Sequence, residues 1–295
     1  MMNLRNTRRP AWPLSVLIPA TFYVVNVYLW LNLFCGAVLA ESPRILLQVN
    51  AIDAPRNILR ARLHIPAQPG PLTLVYPKWI PGEHGPTGPI IDLTGLKMSI
   101  AGQPVEWQRD AEDMYAFHLV VPAGADAVDV ALDFMLPPGS GEFSSGASST
   151  AQLLDLNWNQ VLLYPQGSKP SELQYAVALL LPRGWKFGSA LPSNGHRLGG
   201  GLEFAAVSLE TLVDSPLIAG AYYRKIDLSP KDKPAHELDI VADSAAALEI
   251  TPEASRGFTH LVAETGALFG ARHYQSYHFL LTLSDHVAHF GLEHH

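Results

Sequence analysis

The sequence predicts a mainly β protein, in which a β-sandwich-like N-terminal domain is followed by a shorter α+β part. Apolar and polar residues alternate in many short runs, which is typical of strands with one buried face. Pro- and Gly-rich turn signals separate these runs at short intervals. After about residue 229 the pattern changes to strand, helix, strand, which indicates a second architecture.

The composition fits a folded protein with a substantial core. The chain has 295 residues, of which 48% are hydrophobic and 16% charged, and its formal net charge is −7. No cluster of Lys and Arg suggests a nucleic-acid partner, and no basic helix suggests a membrane surface. We therefore expect no nucleic acid among the partners and no membrane contact beyond the N-terminal segment.

Residues 1–40 have the pattern of an export signal. Arg5, Arg8 and Arg9 precede an apolar run over 16–39, and Val38-Leu39-Ala40 offers the small residues that signal peptidase accepts. We predict cleavage after Ala40 and a periplasmic or secreted protein. The run is also long enough to span a bilayer, so a membrane-anchored protein is the alternative.

Cleavage would also remove the only cysteine and leave a net charge of −10. The mature chain would then have no disulfide and no thiolate metal site.

The predicted all-β domain covers residues 41–228. Its clearest strands are runs that alternate over Leu59–Ile65, Val128–Phe134 and Tyr175–Leu181. A polar segment with two prolines, 229–235, is the predicted linker.

The predicted α+β part covers 236–295. His236–Ala242 has strand character, and Thr251-Pro252-Glu253 has the N-cap, proline and acid that begin helices. Apolar residues then recur at helical spacing up to Phe269, and Gly270 ends the helix.

The final stretch, 277–295, predicts two short β segments, Tyr277–Leu283 and Val287–Leu292, joined by a turn at Ser284-Asp285. A sheet that stops at such an edge leaves backbone groups uncovered. We therefore expect this chain to be the first part of a larger protein.

Two segments could line a ligand cleft. One is the Pro/Gly-rich run around Trp79 and Glu83, which is either a rigid wall that faces a ligand or a structural corner plugged by Trp79. The other contains Asn157, which either lines a cleft or belongs to a buried strand with a hydrogen-bonded Trp.

Motifs that would carry hydrolytic chemistry are missing from these 295 residues. H-E-x-x-H and H-x-x-E-H do not occur, although six of the twelve histidines lie in the last 23 residues. Gly-x-Ser-x-Gly is absent as well. We therefore predict no catalytic residue, no metal site and no bound cofactor in this chain.

From about Arg44 onward, the sequence resembles the glycyl aminopeptidase family of zinc metallopeptidases, peptidase family M sixty-one of the gluzincin clan. The matching stretches are Tyr76–Pro89, Asp113–Phe117, Leu156–Pro165, Leu212–Pro216, Leu268–Tyr274 and Tyr277–His295. The resemblance implies that the α+β part is the truncated start of a thermolysin-like catalytic domain. It also implies zinc as cofactor and a peptide substrate for the full-length enzyme, often with a PDZ-like module.

The resemblance implies a role for one residue. Gly291-Leu292-Glu293-His294 is similar to the G-x-M-E-N strand of related aminopeptidases, in which the Glu binds the substrate's free α-amine. This makes Glu293, with Gly291 beside it, the candidate substrate-binding residue. A surface carboxylate is the alternative.

We interpret the chain as the catalytically incomplete N-terminal portion of an exported zinc aminopeptidase. By resemblance, the substrates are peptides with small N-terminal residues, Gly or Ala. The alternatives are a non-catalytic β-sandwich module that binds peptides or proteins, and a pseudoenzyme.

Overall fold

A computed structural model describes residues 44–80, 82–83, 85–137, 148–194, 201–230, 234–287 and 291–294. The predicted signal segment lies outside these residues. The two α-helices of the described part are α1 (Leu209–Val213) and α2 (Pro252–Phe269). The strands are β1 (Ile45–Asn50), β2 (Ile58–Pro66), β3 (Gly70–Val75), β4 (Leu93–Ile100), β5 (Gln103–Pro104), β6 (Trp107–Arg109), β7 (Ala116–Val121), β8 (Ala127–Met135), β9 (Ser148–Ser149), β10 (Leu153–Leu156), β11 (Tyr164–Pro165), β12 (Gln174–Leu180), β13 (Lys186–Ser189), β14 (Leu202–Glu203), β15 (Val207–Ser208), β16 (Leu217–Gly220), β17 (Tyr222–Asp227), β18 (Ala235–Ala242) and β19 (Ser276–Leu283).

The largest sheet has the order β14-β12-β1-β2-β8-β4-β5, with β15 also paired to β12. Its strands follow the predicted alternation. In β2, Leu59, Ala61, Leu63 and Ile65 are buried, whereas the arginines and histidine between them are exposed. β1 and β12 are the parallel neighbours in this sheet. Because one face of each strand is buried, apolar and polar residues alternate along it, and this alternation predicted the strands from the sequence.

Two four-stranded sheets complete the β region, in the orders β13-β16-β10-β9 and β11-β3-β7-β6. Side chains from all three sheets form one apolar core, in which Trp158, Tyr76 and Phe117 are among the largest fully buried groups. The prediction of a mainly β fold is confirmed.

The α+β part contains the sheet β17-β18-β19, with α2 as the crossover between the parallel strands β18 and β19. The predicted ends of α2 are confirmed. The Thr251 hydroxyl accepts a hydrogen bond from the Ala254 amide at 3.1 Å, and Gly270 ends the helix with φ +65°. Of the predicted apolar stripe only Val262 is buried, whereas Leu261, Leu268 and Phe269 are exposed.

The predicted linker, 229–235, joins two neighbouring antiparallel strands. β17 pairs with β18 through six residues, from Tyr222–Ala242 to Asp227–Glu237. The Leu228 amide also bonds the His236 carbonyl at 2.9 Å. Residues 231–233 lie outside the described part of the chain, and the domain boundary placed here stays a prediction.

The first β segment predicted in the final stretch is confirmed as β19. The second is not a strand where the structure describes it, since neither Val287 nor Gly291-Leu292 has strand structure. Residues 288–290 lie outside the description. Val287 instead packs into a small apolar cluster with Leu153, Ile218 and Val241, so packing against the neighbouring sheet holds this segment.

Candidate functional site

The segment Gly291–His294 presents alternate residues to solvent. Gly291 and Glu293 are exposed, whereas Leu292 and His294 are partly buried. Glu293, which carries the candidate substrate carboxylate, is therefore exposed between two partly buried neighbours.

Leu292 packs against Gly82 of the Pro/Gly-rich loop. A Cβ added to Gly82 would lie 2.5 Å from Leu292 Cδ1 and 3.3 Å from the Glu293 carbonyl oxygen. Gly82 also has φ +78°, a conformation that other residues adopt at a cost. The positive φ favours glycine at this position, and the contact with Leu292 brings the loop of Trp79 and Glu83 next to Glu293.

Hydrogen bonds hold this loop at both ends. The Tyr76 ring is buried, and its hydroxyl donates to the Gln160 carbonyl at 3.2 Å. The Tyr115 hydroxyl donates to the Gly88 carbonyl at 2.8 Å. Lys78 lies over the Tyr115 ring, 5.1 Å from its centroid, and 3.3 Å from a carboxylate oxygen of Asp113. These contacts tie the described residues of the loop to the rest of the β region.

The two cleft candidates in this loop differ in exposure. Trp79 is 66% exposed, so it does not plug the corner. The buried Tyr76 fills that place instead. Glu83 is partly buried, and its amide bonds the Ile80 carbonyl at 3.1 Å.

His294 is tied to Asp214. Its Nδ1 lies 3.1 Å from Asp214 Oδ1, and the two side chains are only 18% and 13% exposed. A carboxylate can only accept a hydrogen bond, so Nδ1 must carry the proton. This contact joins residues that are 80 positions apart.

Asp214 in turn stands on a braced turn. It follows α1, and its amide bonds the Glu210 carbonyl at 3.2 Å. The buried Trp158 donates from Nε1 to the Ser215 carbonyl at 2.8 Å, and the Ser189 hydroxyl donates to the Pro216 carbonyl at 2.8 Å. Hydrogen bonds on both sides therefore fix the position of Asp214.

The last cleft candidate, Asn157, is 6% exposed. It precedes a 3-10 helix, Trp158–Val161, whose four residues are all buried. The segment is buried and contains a hydrogen-bonded Trp, but it is helical rather than extended.

Asp155 is an unexpected acid in the interior of the β region, where its residue is partly buried. It lies in β10, in one row with Ile218 and Gly188 across the sheet. That face packs on the three-stranded sheet, since a Cβ on Gly188 would overlap the Asp239 side chain. Loss of hydration between the sheets raises the pKa of Asp155 to about 7, so its carboxyl titrates near neutral pH.

Three potential metal ligands, Glu237, Asp239 and His278, converge on the three-stranded sheet. Their ligand atoms lie within 4.8 Å of one another, and Asp239 is fully buried. His278 Nδ1 is 2.9 Å from Asp239 Oδ2 and 3.6 Å from Glu237 Oε2.

This cluster does not fit zinc, because its oxygens already have partners. The Lys225 ammonium lies 2.5 Å from Glu237 Oε2 and 3.9 Å from Asp239 Oδ1. Tyr223 donates to Asp239 as well, and burial together with this bond raises the pKa of Tyr223. The Lys225 ammonium occupies the position that a metal ion would take. These contacts join β17, β18 and β19.

Sequence reasoning missed the residues that contact the neighbours of Glu293. The sequence assigned no specific role to Asp214, which lies in one of the stretches that resemble the family. It assigned none to Gly82 either, which is one of several glycines in the loop. No local pattern marks either, because their contacts are long-range.

The described residues contain no helix with the length and apolarity needed to cross a bilayer.

Comparison with known proteins gives the family and the fold. The family model of the Peptidase M61 N-terminal domain matches residues 46–221, whereas no curated protein matches the sequence. The chain is similar to the crystal structure of an aminopeptidase N family protein from Idiomarina loihiensis. The identity is 17% and the TM-score 0.64, over 81% of this chain and 39% of that one.

Two other solved structures are more distant. An M1 zinc metallopeptidase from Deinococcus radiodurans has 12% identity and a TM-score of 0.45, over 80% of this chain and 55% of its own. Aminopeptidase A from Legionella pneumophila, in complex with aspartic acid, has 11% identity and a TM-score of 0.46, over 80% and 28%.

In all three comparisons, this chain spans less than two thirds of the solved protein. At 17% identity, the likeness to the structure from Idiomarina loihiensis shows the fold alone. The family match covers more than half of the sequence and includes Gly82, Asp155 and Asp214. By that match, the chain belongs to the peptidase M61 family, whose N-terminal domain it contains.

Proposed function

We propose that this chain is the N-terminal portion of an exported, zinc-dependent aminopeptidase, and that Glu293 binds the α-ammonium group of its peptide substrate. One observation carries the proposal. Glu293 is the outward residue of a segment whose inward neighbours are held by Gly82 and Asp214. A fixed carboxylate that pairs with an ammonium group sets the distance from the chain end to the cleaved bond.

Zinc in such an enzyme polarises the scissile carbonyl and activates water. No H-E-x-x-H occurs in these 295 residues, and the acid–histidine cluster does not fit the ion. We propose that the zinc ligands lie in sequence beyond these residues, while this chain contributes substrate binding.

The preferred substrates in this proposal have Gly or Ala at the N-terminus. Trp79 stands three residues before Gly82 on the same loop, and we propose that its exposed ring limits the size of the substrate's first side chain. Trp79→Ala should then raise kcat/KM for leucyl relative to glycyl anilides by about 10-fold, the scale set by one or two methylene groups in a pocket. An unchanged ratio would remove Trp79 from the site.

The catalytic part of the proposal is tested by extending the chain. The coding DNA after His295 should be read and the longest product expressed beside residues 41–295. We expect an H-E-x-x-H helix, and hydrolysis of glycyl anilide that a chelator abolishes and zinc restores. The 41–295 product should be inactive. A longest product without chelator-sensitive activity would contradict the proposal.

A peptide-binding module without chemistry is the second candidate, favoured by the exposure of Trp79. It predicts that the longest product binds peptides but hydrolyses none. Export is tested separately by N-terminal sequencing, in which the mature protein should begin at Glu41. Recovery of Met1 in the membrane fraction would favour the anchored form.

A further inference from the structure

We propose that Asp214 is a positioning residue for the substrate-amine site: through His294 it fixes the orientation of Glu293. This inference rests on the proposed function of Glu293, although the Asp214–His294 contact itself does not.

Two contacts hold the residues on either side of Glu293. The Leu292 side chain rests on Gly82, and the His294 ring bonds Asp214 at 3.1 Å. Glu293 lies between these two contacts and is exposed. Adjacent Cα atoms are about 3.8 Å apart, so fixing both neighbours leaves the Glu293 backbone little freedom.

The Asp214 carboxylate also determines which ring nitrogen of His294 carries the proton. Because the Asp214 carboxylate only accepts hydrogen bonds, it selects the His294 form with a proton on Nδ1. The ring is then held in one orientation, as expected for a nearly buried pair. The turn that carries Asp214 is braced by Trp158 and Ser189, so the ring is fixed to the β core.

The first test reads the histidine directly, by NMR of the ring nitrogens of residues 41–295. His294 should carry its proton on Nδ1 in the wild type and in Asp214→Asn, whose side-chain oxygen can still accept. Asp214→Ala should lose that preference. The same ring state in wild type and Asp214→Ala would overturn the proposal.

The second test reads binding, with glycinamide as the probe and N-acetylglycinamide as its blocked counterpart. We expect glycinamide, but not the blocked amide, to shift the Glu293 amide resonance. Asp214→Ala should weaken this binding at least 5-fold, whereas Asp214→Asn should keep most of it.

A matched control comes from a second Asp–His pair. His64 Nδ1 and Asp129 Oδ1 are 2.8 Å apart on the exposed face of the large sheet. Asp129→Ala should leave glycinamide binding unchanged.

The outcomes separate the two claims. If the wild type shows no glycinamide-specific shift, or Glu293→Gln keeps it, the amine site itself is wrong. If Glu293→Gln abolishes binding while Asp214→Ala binds as the wild type does, the amine site stands and the positioning role is overturned.

Discussion

At the scale of single residues, two carboxyl groups with opposite surroundings stand out. Glu293 is exposed and carries the proposed contact with substrate. Asp155 is partly buried and lies between two sheets. Water solvates the charge of Glu293, whereas lost hydration disfavours the charge of Asp155 and raises its pKa to about 7.

Glu293→Gln should reduce kcat/KM for substrates with a free N-terminus by roughly 10- to 150-fold in the longer, zinc-dependent enzyme that we propose. This is the worth of a charge-assisted hydrogen bond of about 1.5–3 kcal/mol. Peptides with a blocked N-terminus never make the contact, so their slow turnover should barely change. Equal losses on free and blocked substrates would remove Glu293 from the site.

Asp155→Asn should stabilise the protein at pH 8 and have little effect at pH 4. The pKa of this carboxyl is about 7 in the folded state, against an ordinary value of 3.8. The folded state therefore binds the proton more tightly, and wild-type stability falls as pH rises from about 4 to 7. At about 1.36 kcal/mol per pH unit, the gain above pH 7 is at most about 4 kcal/mol.

Urea unfolding of both proteins at several pH values measures this gain, because other titrating groups cancel in the difference. Asp126→Asn, at an exposed acid, is the control. A stability difference that does not change between pH 5 and 8 would show that Asp155 is not a neutral acid in the folded protein.

At the scale of elements, the loop between β3 and β4 acts as a support. Its ends are held by Tyr76 and Tyr115, and its glycine at 82 admits Leu292. The loop thus connects the β region to the segment that carries Glu293.

Gly82→Ala should destabilise the protein by more than its backbone conformation alone requires. Gly102 has the same φ of +78°, but a Cβ added there would meet nothing within 4 Å, so Gly102→Ala is the matched control. Each change costs about 1–2 kcal/mol for the backbone. Gly82→Ala should add the clash with Leu292, and Leu292→Ala should relieve it. Equal melting temperatures of the two alanine variants would argue against the contact.

At the scale of the whole molecule, the three-stranded sheet joins two regions that the sequence pattern assigns to different domains. β17 belongs to the predicted N-terminal domain and β18 to the predicted catalytic part, yet six residue pairs join them. The family match ends at residue 221, just before β17. The acid–histidine–lysine network adds polar contacts across the same strands.

Trypsin should cut after Lys231, since Pro234 blocks cleavage after Lys233, and the two fragments should stay together under native conditions. The β17–β18 pairing and the apolar cluster around Leu228 and Leu238 hold them. Gel filtration in buffer should show one species that separates in denaturant. Separation in buffer would support two independent domains, divided at 229–235.

Local signals in the sequence determined much of this protein. Alternation in β2, β8 and β12, the N-cap at Thr251 and the stop at Gly270 depend on neighbours in the chain, and the structure confirms them. The family resemblance likewise came from continuous stretches, and the match to residues 46–221 confirms it. These properties could be predicted because each is encoded within a few residues.

Only the tertiary structure decided what surrounds Glu293. Gly82 and Asp214 come from distant parts of the chain, and both contacts form only when the sheets are packed. The same packing places Asp155 between two sheets. It also places the Lys225 ammonium beside Glu237 and Asp239, where a metal ion would otherwise lie. A strand pattern shows which face is buried but not which residues meet there. Register, sheet order and loop position set those pairs, and they depend on the whole fold.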